Sequence, residues 1–265
     1  MNSLKKIFKR NTHTYCFKQL AGFGRALNRL YENRNHDIDS NGELVVQKKL
    51  SAFKPKVIVD GGANIGKYSK MLHKEHPDCI IYAFEPVKET YNTLLQNVGH
   101  LKNVVAINKG LFSCHCEKEI YLFNSNTHSS LFDIKGVASK YNNVQTIDLI
   151  RGDSYAKDNK LEVIDFLKLD LEGAEYDALL GFENLLREKK IKAIQFEYGY
   201  INITTRKLLI DFYELLNKYG YKVGKIFPKT VEFRPYNHKY EDFIGPNFIA
   251  VNDDEIELIR ILENK

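Results

Sequence analysis

Val57-Ile58-Val59-Asp60-Gly61-Gly62-Ala63-Asn64-Ile65-Gly66 is the stretch that decides the fold. Three apolar β-branched residues run into an acid, then into a turn of small residues, then into a helical pattern. Such a run, bounded by glycines, reads as a buried strand. Glycine lets the backbone turn tightly and come close to a ligand. In an open α/β sheet this turn lies at the carboxyl end of the first strand, where ligands bind. The acid separates two ligand classes. Asp60 would repel a pyrophosphate and attract the ammonium of a methionine moiety. The loop therefore favours S-adenosylmethionine over NAD, which asks for G-x-G-x-x-G.

Outward from this stretch, strands and helices alternate. Apolar runs occur at 57–59, 80–84, 104–107, 166–169 and 193–196, and helical patterns at 66–75, 87–97, 174–188 and 204–218. This alternation predicts βαβ units and a mostly parallel, doubly wound Rossmann-like α/β sheet. Near-continuous apolar strands suit a sheet covered on both faces. Residues 110–150 break the pattern with short strand-like pieces and a polar loop, and read as an insertion. Residues 221–227 and 247–251 read as a closing antiparallel hairpin, joined by a polar and aromatic loop at 228–246. That ending is expected of a class I methyltransferase fold, whereas a dehydrogenase more often adds parallel units.

Two further blocks carry chemistry. Ala83-Phe84-Glu85-Pro86 places a carboxylate at the end of the second strand, 25 residues after Asp60, about where an acid meets ribose hydroxyls in this architecture. A carboxylate there can accept both the 2′- and 3′-hydroxyl. Phe166-Leu167-Lys168-Leu169-Asp170-Leu171-Glu172-Gly173-Ala174-Glu175 is another apolar strand ending in acids and a glycine. Its strand neighbours the first in this topology, so Asp170 and Glu172 are expected to border the reacting centre. Glu175 reads as a first-turn acid favoured by the helix dipole. Glu197, after the fifth strand, is a weaker candidate for the same cleft.

These blocks resemble the FkbM family of methyltransferases. The resemblance rests on VDGGANIGKYS at 59–69, FEP at 84–86 and LKLDLEGAE at 167–175, with Thr146-Ile147-Asp148 and Ser129-Ser130-Leu131 between them, and covers about residues 43–200. It implies S-adenosylmethionine as cofactor and a hydroxyl acceptor on a sugar, glycolipid, polysaccharide or polyketide. The candidate cofactor residues are Asp60, Gly61, Gly62, Ala63, Asn64, Gly66, Tyr68, Glu85, Pro86, Asn108 and Asp170. Methyl transfer to a hydroxyl needs alignment and a base. Asp170 and Glu172 are the first candidates for that base, and His128, in the polar loop of the insertion, is the runner-up. The oxygens of Asp170, Glu172 and Glu197 suit Mg²⁺ or Ca²⁺, but no metal is expected, because spacing alone carries no coordination geometry. Tyr198, Tyr200, Tyr236 and Tyr240 flank the expected mouth and suit stacking on sugar rings.

Composition agrees with a globular domain: 265 residues, 43% hydrophobic and 28% charged. The net charge of +5 is uneven. Residues 1–34 hold eight Lys/Arg and one acid, Glu32, which leaves the body near neutral. Residues 1–42 read as a basic N-terminal arm with an amphipathic helix at 14–33, and 43–265 as the methyltransferase domain. Packing of that helix on its own domain or a second subunit is favoured over contact with a membrane surface. The near-neutral body argues against a nucleic-acid partner, and no Asn/Asp-Pro-Pro-Tyr/Phe signature of amino methylation is present. An NAD-dependent oxidoreductase shares the βαβ start, but Asp60 and the missing G-x-G-x-x-G oppose it. A non-enzymatic module is opposed by the presence of all three blocks. Cys114-His115-Cys116 has no second ligand cluster and does not read as a zinc site. Lysines and arginines interrupt the N-terminus, so no secretory segment is read and a cytoplasmic location is expected, with peripheral membrane contact or self-association left open.

Overall fold

The computed structural model describes residues 2–123, 129–132 and 141–264. Two helices, α1 (Asn2–Arg10) and α2 (Tyr15–Tyr31), precede α3 (Glu43–Leu50). The alternating core follows: β1 (Val57–Gly61), α4 (Lys67–Glu75), β2 (Ile80–Phe84), α5 (Lys88–Val98) and β3 (Val104–Ile107). Four strands interrupt it: β4 (Gly110–Phe112), β5 (Cys116–Phe123), β6 (Ser129–Ser130) and β7 (Tyr141–Arg151). The chain then returns through α6 (Gly152–Asp158), β8 (Ile164–Leu169), α7 (Glu175–Gly181), α8 (Glu183–Arg187), β9 (Ile191–Glu197), α9 (Ile201–Thr205) and α10 (Leu209–Lys218). It ends with β10 (Tyr221–Ile226), β11 (Val231–Phe233), β12 (Asn247–Asn252) and α11 (Ile256–Glu263).

Among the described residues, the main sheet has the order β11-β10-β12-β9-β8-β1-β2-β3. Strands β3, β2, β1, β8 and β9 are parallel. Strands β12, β10 and β11 close the sheet antiparallel. The chain winds outward from β1 in one direction and from β8 in the other. Their shared carboxyl edge is therefore the topological switch point, where such sheets bind ligands. Ile58, Ile81, Phe166, Leu167 and Phe196 are fully or almost fully buried between the helical layers. Burying one such side chain contributes about 1.5–3 kcal/mol.

The expected Rossmann-like sheet and its antiparallel ending are both present. Three details differ from the sequence reading. The 228–246 loop contains β11, which pairs with β10 and extends the hairpin to three strands. Three residues are too few for periodicity to show. The helical run at 174–188 is two helices, α7 and α8. They meet at Gly181, where an added Cβ would lie 2.1 Å from the Phe112 carbonyl oxygen. The insertion forms its own sheet, β4-β7-β5-β6, rather than loose strand-like pieces. Its buried side, with Ile120, Ile147 and Leu149, packs beside Val87 and Ala174 at the switch point.

Candidate active site

Register fixes the first acids. Asp60 pairs with Ala83 on one side and Lys168 on the other. Gly62 and Ala63 both donate to the Phe84 carbonyl (3.1 and 2.9 Å), and Asp170 N donates to the Gly61 carbonyl (3.1 Å). The turn after β1 is thus tied to the ends of both neighbouring strands. At these three strand ends lies a cavity of about 290 Å³.

Of the expected cofactor residues, Gly62, Asn64, Glu85, Pro86 and Asp170 line this cavity. Glu85 is buried, and its carboxylate accepts from Asn64 N (3.1 Å) and Val87 N (3.0 Å). Burial pushes its pKa up to about 7 despite these backbone bonds. Asn108 stands one layer back, donating to the Glu85 and Pro86 carbonyls (both 3.0 Å). Gly61, Ala63, Gly66 and Tyr68 shape the turn from beneath and do not reach the cavity.

Asp60 is placed differently from the sequence reading. It is fully buried and does not line the cavity. Its carboxylate accepts from Ser69 Oγ (2.7 Å) and lies 3.9 Å from Lys168 Nζ. Lys168 in turn donates to Asp170 (3.0 Å) and sits 4.7 Å from the Tyr68 ring centroid. Burial alone would lower the Lys168 pKa, but Asp170, Asp60 and Glu43 outweigh it and raise the pKa. Lys168 and His36 are residues the sequence reading missed. The signal for Lys168 was a lysine in a strand otherwise buried along its whole length.

The second group of acids meets at the mouth. Asp170, Glu172 and Glu197 all line the cavity, together with His36 from the connector after α2. His36 Nδ1 is 3.9 Å from Glu197 Oε1. Burial raises the Asp170 pKa, but Lys168 outweighs it and holds Asp170 ionised. Glu172 is pushed up to about 8 by burial and by the charges of Asp170 and Glu175. Burial and the same acids raise Glu197 well above the usual carboxylate range. Glu172 also has φ 50°, and its carbonyl accepts from Ser130 Oγ (2.7 Å). Left-handed backbone costs a non-glycine residue roughly 1–2 kcal/mol. Glu175 accepts from Leu171 N and Gly173 N and holds the turn. It is structural, as its place in the first helical turn implied.

A second cavity, of about 280 Å³, shares His36, Glu172 and Glu197 with the first. Tyr200, Phe243 and Arg34 complete much of its wall. Tyr198 also borders it, with its hydroxyl bonded to Glu241. Tyr236 and Tyr240 do not flank the mouth. They pack against the core, the first on Tyr213 and the second under the Arg234 guanidinium, because β11 draws their loop back onto the sheet. His128 lies outside the described residues. Among the described residues no three His, Cys, Asp or Glu side chains are placed to hold a metal ion, Cys114 and Cys116 included.

The side chains present fit S-adenosylmethionine. Glu85 keeps lone pairs for ribose hydroxyls. Leu111, Ile147 and Leu149 give an apolar wall for a flat base. The acids at the mouth outnumber the nearby cations, which suits a ligand with ammonium and sulfonium charges. Asp60 Oδ1 is buried without a hydrogen-bond partner among the described residues, with the Lys168 ammonium 3.9 Å away.

A switch-point cavity with an acid after β2 and acids after β8 suits a nucleoside cofactor with a cationic tail. Residues 60–223 match the family model described as Methyltransferase FkbM domain. The chain belongs to this family. Among curated relatives, Methyltransferase sdnD of Sordaria araneosa is 31% identical over 155 residues, 48% of this chain and 60% of that protein. Methyltransferase 1 of Beauveria bassiana (strain ARSEF 2860) is 27% identical over 149 residues, 48% of this chain and 58% of that protein. Each match covers less than two thirds of the relative's length. Among solved structures, the FkbM methyltransferase of Methylobacillus flagellatus KT aligns with TM-score 0.46 at 18% identity, covering 74% of this chain and 44% of that one. The plantazolicin methyltransferase BpumL in complex with SAH aligns with TM-score 0.45 at 13% identity, covering 85% and 89%.

The Glu85 environment carries a pH prediction. The ionised carboxylate is the better acceptor for ribose hydroxyls, and it is lost as pH falls through about 7. Cofactor affinity, read by calorimetry, should weaken below that point by up to about tenfold per pH unit. Glu85→Gln should flatten this slope and cost about 1.5–3 kcal/mol of binding at higher pH. An unchanged slope in the variant would remove Glu85 from cofactor recognition.

Proposed function

We propose that this enzyme O-methylates a hydroxyl of a sugar, glycolipid or polysaccharide precursor. The observation that carries the reading is the second cavity, which opens onto the acids of the first and is walled by aromatic rings. A polyhydroxylated ring stacked on Tyr200 or Phe243 would turn a hydroxyl toward Glu172 and Glu197. When bound, the cofactor supplies an electrophilic methyl group on a sulfonium.

The different pKa directions of the mouth acids divide their work. Asp170, kept ionised by Lys168, holds positive charge at the cofactor's end. Glu172, raised to about 8, is a stronger base than an ordinary carboxylate once ionised and so suits taking a proton from a hydroxyl. Activity should rise as pH rises through about 8. His36 reaches Glu197 from the solvent side, with its Nδ1 3.9 Å from the carboxylate. The enzyme works in the cytoplasm on this reading.

The test is transfer of labelled methyl from S-adenosylmethionine to a panel of nucleotide sugars, lipid-linked glycans and polysaccharide, with Glu172→Gln beside the wild type. The expected product is an alkali-stable methyl ether, and the variant should lose at least about tenfold in kcat with cofactor affinity kept. Label appearing only on nitrogen or as an ester, or full kcat in the variant, would refute the assignment.

A further inference from the structure

We propose that α1 and α2 form an arm that docks on an anionic phospholipid surface. The arm leaves the domain with an uncovered apolar face. Leu20, Phe23, Leu27 and Leu30 recur at helical spacing along α2 and are all exposed, Leu30 at 77%. No residue of α2 is buried. The domain therefore does not cover this stripe, which leaves a second subunit or a membrane surface of the covers expected from the sequence. Ile7 and Phe8 of α1 are exposed as well, and Phe8 meets Phe17 edge to face at 5.4 Å, joining the two helices.

Charge selects the occupant. Lys18, Arg25 and Arg29 lie on the face of α2 opposite the stripe, and α1 adds Lys5, Lys6, Lys9 and Arg10. The one acid of residues 1–34, Glu32, is paired with buried Lys225 at 2.7 Å, so the exposed arm presents only positive charge. A second copy's arm is equally basic and offers these bases no opposite charge, which disfavours it as the cover. An anionic bilayer takes both features: the apolar stripe enters the interface and the bases stay near the headgroups. A helix is about 10–12 Å across, so even bases on the far face stay close to one Debye length, about 8 Å at physiological salt, from the surface. Among the described residues no helix is long and apolar enough to cross a membrane, so the arm would lie on the surface rather than span it.

The arm is not loosely tethered. Asn33 is buried and donates to the Asn41 and Ile226 carbonyls (2.8 and 3.0 Å). The Glu32 carbonyl packs so closely on Gly245 that a Cβ there would lie 2.1 Å away. Arg34 and His36, the next residues along, line the second cavity. A docked arm would hold that mouth beside the lipid surface.

The test is flotation of the full chain with phosphatidylcholine vesicles, with and without phosphatidylglycerol. Anionic vesicles should bind at least about tenfold more protein, since each base near the surface is worth about 1 kcal/mol. Added salt should weaken the binding. Leu20→Asp/Leu27→Asp should abolish it while leaving the thermal melt and cofactor affinity unchanged, because neither side chain is buried. Lys18→Gln/Arg25→Gln/Arg29→Gln should remove the preference for anionic lipid. Equal flotation of wild type and the Asp variant would overturn the proposal. So would wild type that ignores vesicles, including the case where sedimentation shows a dimer that the Asp variant breaks. Membrane binding without transfer to any sugar acceptor would leave the arm assigned and refute only the acceptor.

Discussion

Gly62→Ala is expected to destroy the cofactor turn. Gly62 has φ +78°, and an added Cβ would stand 1.8 Å from the Asp170 carbonyl oxygen. That oxygen belongs to backbone held by the Asp170 N to Gly61 O bond, so no side-chain rotation relieves the collision. The left-handed conformation alone costs roughly 1–2 kcal/mol. Separating the ends of β1 and β8 adds more, so a total above about 4 kcal/mol is expected, in the range only a few mechanisms reach. Against a typical stability of about 5–15 kcal/mol this is a large fraction. Thermal unfolding and cofactor calorimetry should show a much lower melting point and affinity down at least about a hundredfold, or 2.7 kcal/mol. Gly22→Ala in α2 is the control. Its Cβ would meet nothing closer than Arg25 at 3.9 Å, so alanine should be neutral or slightly stabilising there. Wild-type behaviour of Gly62→Ala would show that the turn has room it does not have here.

Lys168→Met should be the second severe change. The ammonium is buried among Asp60, Asp170 and Glu43, and removing it leaves their charges without compensation. Breaking a buried pair by removing one partner costs about 3–5 kcal/mol. Asp60→Asn in the same chain should return part of the loss, because Asp60 has only Lys168 and Ser69 to answer its charge. Denaturant unfolding of the single and double variants measures the coupling. Additive losses would mean that Asp60 and Lys168 do not interact. Cofactor affinity should stay low in the double variant, since Asp170 loses its ionising neighbour in both.

These two residues mark how far the sequence could be read. The parallel sheet was legible because its strands are apolar runs of ordinary length, punctuated by Gly62, Gly66 and Gly173 where φ is positive. Glu85, Asp170 and Glu172 were legible as strand-end acids, and all three line the cavity. The facing of Asp60 was not, because a strand has two faces and only the packing of α4 decides which one holds Ser69 and Tyr68. Lys168 looked like one more letter of a motif until its partners were in place. His36 was invisible for a different reason. It sits on a connector that reaches the mouth only because Asn33 and Glu32 bond to residues 193 positions away. Local pattern carries no trace of such a contact. β5 and β7, polar at Glu117, Lys118 and Glu119 between sparse apolar positions, read as fragments although they pair along their length.

The separateness of that small sheet has a practical corollary. Among the described residues its ladder is hydrogen-bonded within itself, and it meets the rest of the fold through side chains, the Phe112 backbone packed on Gly181 and the Ser130 hydroxyl on the Glu172 carbonyl. Strands β4, β5, β6 and β7 therefore form a replaceable wall, provided that Leu111 and Ile150, which pack in the main core, are kept. An engineer can exchange these strands for the corresponding segment of a related enzyme and remould one wall of the chamber, while every rung of the larger ladder keeps its register.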